Sequence, residues 1–329
     1  MHILIIGAAG MVGRKLTAAL VKSGRLGGKD IAKLTLADVV PPEAVAFGGA
    51  VVTKTIDLPE PGVAAALVAD RPDVIFHLAA VVSGEAEQNF DKGYRINLDG
   101  TRLLLEAIRQ EGIKNGAYVP RLVFTSSIAV FGAPFPEAIE DEFLSAPLTS
   151  YGTQKAIGEL LLNDYSRKGF VDGIGIRLPT IVVRPGKPNL AASGFFSNIL
   201  REPLSGKEAV LPVSRDVRHW FASPRAAVGF LLRAAEIDTQ KLGWRRTISA
   251  PGLSTTVGEE IEALRRVAGD RIAGLIREVP DEAIIKIVSG WPRNFSTKRA
   301  EGLGFVAEKS FDDIIRFHIE DELGGRIGG

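Results

Sequence analysis

Short apolar runs alternate with longer amphipathic stretches along the first 180 residues. Each run is rich in Val, Ile, Leu or Phe, which is typical of a strand buried on both faces. Between the runs, apolar side chains recur at helical spacing. This alternation predicts right-handed crossovers and a parallel sheet. The predicted strands are His2–Ile6, Lys33–Ala37, Val51–Lys54, Val74–Leu78, Arg121–Thr125 and Ile174–Leu178, and the predicted helices are Met11–Ser23, Val63–Ala69, Tyr94–Glu111 and Ser150–Arg167.

The pattern changes after the sixth predicted strand. A loop at Arg184–Asn189 precedes an irregular stretch that ends near Arg218, and helical spacing then returns in four segments. We therefore predict an α/β protein with a Rossmann-type doubly wound parallel sheet and a smaller C-terminal α/β substrate lobe. The sheet domain spans residues 1–183 with contributions from about 213–250, and the lobe spans 184–212 and 251–329. The four later helices are predicted at Arg225–Ala235, Val257–Val267, Asp281–Ser289 and Phe311–Leu323.

Composition and charge exclude several classes of protein. Of the 329 residues, 46% are hydrophobic and 24% charged, which is ordinary globular usage. A net charge of +1 indicates neither nucleic acid nor an anionic membrane as a partner. Cysteine is absent and the four histidines lack metal-ligand spacing, so we predict no disulfide and no metal. No signal peptide and no apolar run of about 18 residues is found, so we expect a soluble, cytoplasmic protein.

A glycine-rich segment follows the first predicted strand. Gly7, Gly10 and Gly13 permit a tight turn and a close approach of the backbone to a pyrophosphate, which the helix N-terminus would bind. A plain strand-to-helix turn has the same spacing, so this signal is weak by itself. Asp38 ends the second predicted strand, where a carboxylate bonds the adenosine ribose and repels a 2′-phosphate, although a solvated loop acid is the alternative. Together they predict NAD as the cofactor, bound by Gly7, Gly10, Met11, Val12, Gly13 and Asp38.

Tyr151 and Lys155 form a Tyr-x-x-x-Lys motif on one face of the helix predicted at Ser150–Arg167. A lysine ammonium lowers the pKa of a neighbouring phenol, which can then exchange a proton with an alcohol. Ser127 follows the fifth predicted strand, at the sheet edge where ligands bind, with Ser126 as the second candidate. An ordinary surface helix and a serine cap are the alternatives for each motif alone. Together they predict an oxidoreductase in which Tyr151 and Ser127 contact the reacting oxygen, while Lys155 tunes Tyr151 and holds the nicotinamide ribose.

In these motifs the chain resembles the extended short-chain dehydrogenases/reductases of the NAD-dependent epimerase/dehydratase family, and the resemblance covers nearly its whole length. The resemblance implies a homodimer in which the helices Tyr94–Glu111 and Ser150–Arg167 pack across a two-fold axis. It also implies further cofactor contacts in segments that match the family: Asp57 and Leu58; Leu78, Ala79 and Ala80 after His77; Asn97; and Pro179 in Arg177-Leu-Pro-Thr180.

Two segments depart from the sugar-nucleotide members of that family. Their Arg-x-x-Asn, whose Asn meets the nucleotide sugar, ends here in Thr180, and their later Arg-Asp motif appears as Arg218-His-Trp-Phe-Ala-Ser-Pro-Arg without its acids. The chain therefore resembles more closely the members that oxidise D-erythronate, a four-carbon sugar acid, at its 2-hydroxyl. A carboxylate substrate needs a cation, for which Arg184 and Arg218 are candidates, with surface salt bridges as the alternative. The predicted substrate residues are Ser83, Ser127, Tyr151, Thr180, Arg184 and Arg218.

Three functions are consistent with these residues. The first is a dehydrogenase that oxidises a small hydroxy acid or sugar and releases NADH. The second is a nucleotide-sugar 4-epimerase or dehydratase that regenerates a tightly bound NAD. The third is a non-catalytic, NAD-sensing regulator, a class that usually lacks the tyrosine or the lysine. Because Tyr151 and Lys155 are both present, and the residues that bind the diphosphate in sugar-nucleotide members are only partly present, the sequence favours the dehydrogenase.

Overall fold

The computed structural model describes residues 1–186 and 193–328. Contacts between Cα atoms divide the described residues into two compact units. The first unit comprises residues 1–130, 149–177 and 228–248, and the second comprises 131–148, 178–227 and the chain from 249 onward. None of the helices in the described ranges is long and apolar enough to cross a membrane.

Strands and helices alternate along the first unit, as the sequence predicts. Two short 3-10 turns, Ile128–Val130 and Thr239–Leu242, and one π-helical segment, Tyr94–Asp99, complete the regular structure. Within the described residues the strands are β1 (His2–Ile6), β2 (Arg25–Leu26), β3 (Lys29–Asp30), β4 (Lys33–Asp38), β5 (Ala50–Thr55), β6 (Val74–His77), β7 (Arg121–Ser127), β8 (Asp172–Leu178), β9 (Thr180–Ile181), β10 (Ala209–Leu211), β11 (Arg218–Ala222), β12 (Thr247–Ser249), β13 (Leu253–Thr256) and β14 (Ile276–Glu278). The helices are α1 (Met11–Ser23), α2 (Val63–Val68), α3 (Ser83–Gln88), α4 (Phe90–Gly93), α5 (Gly100–Asn115), α6 (Ser150–Arg167), α7 (Gly194–Leu204), α8 (Pro224–Glu236), α9 (Val257–Ala268), α10 (Asp270–Ala273), α11 (Glu282–Ser289), α12 (Lys298–Gly302) and α13 (Phe311–Leu323).

A seven-stranded sheet in the order β12-β8-β7-β6-β1-β4-β5 forms the centre of the first unit. Strand β1 pairs in parallel with both β4 and β6, and the chain order reverses between β1 and β6. Residues 3–6 of β1 are fully buried, as expected of a strand covered on both faces. The predicted α/β class and Rossmann-type sheet are confirmed, and the reversal is the topological switch point at which such sheets bind ligands.

The second unit contains two small sheets and its own apolar core. Strand β11 pairs in parallel with β9 and antiparallel with β13, and β10 pairs with β14. The sequence predicts irregular structure before residue 218, and this prediction is wrong where the chain forms α7 and β10. The apolar side chains of α7 recur at helical spacing and enter the core, which favours a helix: these are Phe195, Phe196, Ile199, Leu200 and Leu204.

The division into units differs from the domain boundaries expected from sequence. Residues 131–148 belong to the second unit, where Ile139 forms a parallel bridge to Phe295 and the Ser249 N–H donates to Asp141. Of the residues expected to extend the large sheet, 213–250, only β12 joins it, because β11 pairs with β9 and β13. The loop predicted at Arg184–Asn189 lies outside the described residues from position 187 onward.

Candidate active site

The glycine loop connects β1 to α1 at the switch point of the sheet. Gly7 has a positive φ of 95°, and a Cβ at Gly13 would lie only 2.2 Å from the Gly7 carbonyl oxygen, so both positions require glycine. Gly10 is the N-cap of α1, no side chain caps this helix, and its first turn contains no acid. The N–H groups at this 13-residue helix's start therefore suit an anion such as a pyrophosphate.

Asp38 is the last residue of β4 and is half-buried beside the glycine loop. One carboxylate oxygen accepts the Ala9 N–H at 2.8 Å and the other accepts the Val40 N–H at 3.2 Å. These bonds hold a carboxylate next to the loop, which fits the ribose hydroxyls of NAD and disfavours a second phosphate.

The segment after β6 lies against the glycine loop. The N–H groups of Leu78 and Ala79 both donate to the Ile6 carbonyl, at 2.8 and 3.0 Å. A Cβ at Gly7 would stand 2.6 Å from the Ala79 nitrogen, so the two segments touch through their backbones. Of the predicted set Leu78, Ala79 and Ala80, the first two residues thus lie against the glycine loop.

Asp57 and Leu58 follow β5 in the same unit. The Asp57 carboxylate accepts from Arg95 Nη1 at 2.8 Å, and Leu58 is buried beside Gly100. The ion pair is partly exposed, so it adds little stability by itself. Their contact with adenine remains a prediction.

The end of β7 and the start of α6 carry the catalytic candidates. Lys155 is 2% exposed, and its Nζ donates to the Thr125 carbonyl at 2.8 Å. That nitrogen lies 4.9 Å from the centre of the Phe124 ring and 5.7 Å from the centre of the Tyr151 ring. Ser127 is half-buried at the strand end, where its hydroxyl accepts the Ala129 N–H at 3.1 Å. The predicted one-face arrangement of Tyr151 and Lys155 is therefore present in α6.

The charge of this site is concentrated on Lys155. Burial lowers the pKa of Lys155 to about 8, against the raising influence of the Glu159 carboxylate, so the ammonium form prevails at pH 7. Burial, and secondarily the charge of Lys155, lowers the pKa of the neighbouring His77 to about 3. His77 is therefore neutral, and Lys155 supplies the positive charge next to Tyr151.

Asn97 lies in the π-helical segment that starts the helix predicted at Tyr94–Glu111. Its side chain is buried, accepts the Val81 N–H at 2.9 Å and donates to Gln154 Oε1 at 2.7 Å. The Thr101 hydroxyl donates to the Asn97 carbonyl at 2.8 Å. Asn97 thus links the segment after β6 to α6 by hydrogen bonds. Its direct contact with the cofactor remains a prediction.

Thr180 and His219 of the second unit lie together. Thr180 Oγ1 is 2.7 Å from His219 Nε2, and the buried His219 ring stacks parallel to Phe196. His219 is therefore a buried packing residue of the second unit.

The two arginine candidates contact protein groups of the second unit. Arg184 donates to the Ile181 carbonyl and to the Ser193 hydroxyl, both at 3.0 Å. Arg218 donates to the Ser254 carbonyl at 2.7 Å and pairs with Glu259 at 3.3 Å. The remaining candidates are Ser83, half-buried at the start of α3, and Pro179, buried between β8 and β9. Within the described ranges no group of His, Cys, Asp and Glu is arranged to hold a metal ion.

Three buried polar residues near the catalytic candidates were not predicted from the sequence. Gln154 and Glu159 are buried on α6, and Thr101 is buried on α5. Glu159 lies four residues after Lys155, so it extends the Tyr-x-x-x-Lys spacing by one more helical turn. That spacing is the signal that would have revealed it.

A parallel sheet with a glycine loop at its switch point, a carboxylate beside that loop and a Tyr-Lys-Ser set is typical of dinucleotide-dependent oxidoreductases. Residues 3–240 match the model of the NAD dependent epimerase/dehydratase family, and the chain belongs to this family. The family, the enzymatic class and NAD as the cofactor, all predicted from the sequence, are confirmed.

Three proteins show how far the similarity extends. The chain is 47% identical to a D-erythronate dehydrogenase from Cupriavidus necator, with 98% of each chain covered, and 42% identical to one from Haemophilus influenzae, with 98% of this chain and 100% of the relative covered. A crystal structure described as a nucleoside-diphosphate-sugar epimerase from Agrobacterium tumefaciens is 68% identical, covers 99% of this chain and 95% of its own, and superposes with a TM-score of 0.96.

Proposed function

We propose that this protein oxidises the 2-hydroxyl of a small sugar acid, with D-erythronate as the representative substrate. The observation that carries the proposal is the buried Lys155 ammonium next to Tyr151, in a chain that matches two D-erythronate dehydrogenases over nearly their whole length. The reaction removes a proton from the oxygen and a hydride from the carbon of the same alcohol.

Each catalytic side chain has a defined part in this reaction. Tyr151, as the phenolate, accepts the hydroxyl proton, and Lys155 stabilises that phenolate by its charge. Ser127 donates a hydrogen bond to the oxygen as the carbonyl forms. NAD, when bound, accepts the hydride. Lys155 also donates to the nicotinamide ribose, in addition to the Thr125 carbonyl.

The cofactor residues divide by the part of NAD they bind. The start of α1 binds the pyrophosphate and Asp38 binds the adenosine ribose. The side chains and backbone that we propose to complete the site are those of Gly7, Gly10, Met11, Val12, Gly13, Asp57, Leu58, Leu78, Ala79, Ala80, Asn97, Tyr151, Lys155 and Pro179.

We propose that polar side chains bind the substrate. Arg184 and Arg218 are the candidate cations for the carboxylate, because a guanidinium presents paired donors to two carboxylate oxygens. Thr180 and Ser83 are the candidate partners for its hydroxyl groups. Replacing each arginine by Gln separates the two: the residue that binds the carboxylate raises KM for the sugar acid at least tenfold, and the other leaves it within twofold, since a charged hydrogen bond is worth about 1.5–3 kcal/mol.

A nucleotide-sugar epimerase is the second candidate, because the similar structure from Agrobacterium tumefaciens is described as one. The two reactions differ in the fate of the cofactor. A dehydrogenase accumulates NADH, whereas an epimerase returns its NAD to the starting state.

One screen decides between them. The protein with NAD is incubated with D-erythronate, with other four- to six-carbon sugar acids, and separately with UDP-sugars. Accumulation of NADH absorbance with a sugar acid is the expected result. Conversion of a UDP-sugar without NADH, and no reaction with any sugar acid, would establish the epimerase. The variant Tyr151→Phe is the control: it should lose turnover by at least a hundredfold while retaining NADH binding, measured by fluorescence titration.

We also propose a cytoplasmic homodimer. Large apolar side chains are exposed on both helices of the expected interface, Leu160 (71%) on α6 and Ile113 (61%) on α5, which supports burial of these helices against a second copy. Light scattering of the wild type and of Leu160→Glu tests the association. The wild type should have twice the mass of the chain and the variant should dissociate.

A further inference from the structure

We propose that Glu159 is a positioning residue of the catalytic site, which keeps Lys155 protonated and holds the end of β7 in place through Ser126. The inference rests on the proposed function, since it concerns the proton transfer by Tyr151. Glu159 is a buried carboxylate that takes no direct part in the proposed proton and hydride transfer.

Glu159 is the centre of a buried polar network that joins three elements of the first unit. Its side chain is 8% exposed and that of Arg177, on β8, is 9% exposed. Arg177 Nε and Nη2 donate to the two carboxylate oxygens, at 2.9 and 2.7 Å. The Ser126 hydroxyl, on β7, donates to the same carboxylate at 2.5 Å. A buried charge with two donors on one side and a hydroxyl on the other is held in one position.

Glu159 lies one helical turn from Lys155 on the same face of α6. Lys155 is buried over the Phe124 ring, and burial opposes its charged form. The Glu159 carboxylate is the neighbouring charge that favours the ammonium. Without it, the lysine would lose its proton at a lower pH.

The other titratable groups around Lys155 do not replace this carboxylate. Tyr151 lies one turn earlier on α6, and His77, on β6, is neutral. Glu87, on α3, accepts the Ser150 N–H at the start of α6 and is exposed to solvent. The Arg177 guanidinium is positive and so opposes the ammonium. Among these groups, Glu159 is the buried negative charge on the same face of α6 as Lys155.

The same network fixes the backbone that carries Ser127. Lys155 donates to the Thr125 carbonyl and Glu159 accepts from the Ser126 hydroxyl, so α6 holds two consecutive residues of β7. Ser127 is the next residue. The distance between the two groups that contact the substrate oxygen, on Tyr151 and Ser127, therefore depends on the anchoring by Glu159.

The first experiment measures the protonation of Lys155 without any substrate. Lysines labelled with ¹³C at Cε are followed by NMR from pH 6 to pH 11, and the signal that disappears in Lys155→Met is assigned to Lys155. In Glu159→Gln its midpoint should fall by about one pH unit, from the wild-type value near 8. The matched control is Glu106→Gln on α5, which removes an ion-paired carboxylate away from Lys155 and should leave the midpoint unchanged.

A double variant controls for a folding defect in Glu159→Gln. Glu159→Gln leaves the Arg177 guanidinium buried without its counter-charge, so Glu159→Gln/Arg177→Gln is prepared as well. The midpoint should fall in both variants. A fall in the single variant alone would assign the effect to the uncompensated arginine, and no fall in either would show that Glu159 has no effect on Lys155; both results overturn the proposal.

The second experiment uses the pH dependence of sugar-acid oxidation. Lys155 is protonated at pH 6 in every variant, whereas at pH 8 the Glu159→Gln enzyme has lost most of this charge. The ratio of wild-type to variant kcat should therefore be at least threefold larger at pH 8 than at pH 6, and Glu159→Asp should restore part of it. A ratio that does not change with pH indicates a structural defect and contradicts the proposal. If the wild type oxidises no sugar acid, the proposed function fails, and the NMR titration alone decides the role of Glu159.

Discussion

At the scale of single residues, the active site concentrates groups that burial disfavours. Lys155 is an ammonium with almost no exposed surface, and its pKa of about 8 records the cost of holding that charge in the fold. Phe124, Thr125 and Glu159 offset only part of the cost. Catalysis and stability therefore make opposite demands at this position.

Replacing Lys155 by Met should stabilise the protein while abolishing turnover. The folded-state pKa of Lys155 lies below its ordinary value of 10.5, so the folded state is disfavoured below pH 8 and the penalty disappears above pH 10.5. We expect a gain of about 1–3 kcal/mol in the free energy of unfolding at pH 7 and little gain at pH 10.5, measured by urea denaturation. The exposed Lys168→Met, at the C-terminal end of the same helix, is the control and should change stability by less than about 0.5 kcal/mol. A loss of stability in Lys155→Met would contradict this prediction.

Replacing Asp38 by Ser should change the preference between the two nicotinamide cofactors. The variant loses the negative charge and the bonds to the Ala9 and Val40 N–H groups. Since a charged hydrogen bond contributes about 1.5–3 kcal/mol, kcat/KM for NAD should fall roughly 10- to 100-fold, while that for NADP should rise. The measurement is NADH or NADPH formation at varied cofactor concentration, with the exposed Asp30→Ser as the control. An unchanged ratio of the two kcat/KM values would show that Asp38 does not contact the ribose.

At the scale of elements, strong periodicity decided which parts of the fold were predictable. Helix α13 begins and ends at the predicted residues Phe311 and Leu323, and β1 at His2 and Ile6, because their apolar positions recur without interruption. Helix α7 was missed because prolines and glycines precede it, although its apolar side chains have helical spacing. The π-helical segment at Tyr94–Asp99 has no signature in apolar spacing, since it differs from an α-helix only in which carbonyl each N–H reaches.

The candidate site shows the same division between local and distant information. The Tyr151–Lys155 spacing is local to one helix, and the sequence was enough to place both on one face. The bond between Glu159 and Arg177 joins α6 to β8. A single sequence does not contain that geometry, because it depends on how the helix lies on the sheet.

Replacing Gly158 by Ala should push α6 away from β7. A Cβ at this position would lie 2.8 Å from the Phe124 ring, which Lys155 also contacts. Overpacking of this kind costs typically 1–3 kcal/mol, and the shift of α6 should lower kcat as well. The matched control is Gly229→Ala in α8, where no atom lies within 4 Å of the added methyl group and a neutral or stabilising effect is expected. Thermal unfolding and NADH formation measure both effects, and equal stabilities for the two variants would contradict the prediction.

At the scale of the whole molecule, each unit contains a histidine that is buried in its neutral form. Burial lowers the pKa of His77 in the first unit and of His219 in the second to about 3. The unfolded chain titrates near the ordinary value of 6.5. Both units therefore share one source of acid sensitivity, although their sheets and cores are separate.

Stability should consequently decrease as the pH falls below 6.5. The folded pKa values are depressed, so the contribution of each histidine is complete above pH 6.5 and is lost progressively toward pH 3. Between pH 6 and pH 4.5 each buried histidine should contribute a slope approaching 1.4 kcal/mol per pH unit. Urea denaturation across this range measures the slope of the free energy of unfolding against pH. The variant His219→Asn should reduce this slope by the contribution of one histidine. A slope that is the same in this variant and in the wild type would show that His219 takes up a proton while folded.

The π-helical segment also gives the long helical region a change of phase. One wide turn contains one residue more than an α-helix would place there, which rotates everything before it by about 100° relative to α5. Asn97 lies four residues before Thr101 and seven before Leu104, so its side chain stays on the buried face of α5. The rotation therefore falls on the residues before the wide turn, which include α4. Deleting one residue between 94 and 99 would close the wide turn and rotate α4 by about 100° relative to α5. A single inserted residue thus separates the orientation of α4 from the packing of the helix that follows it.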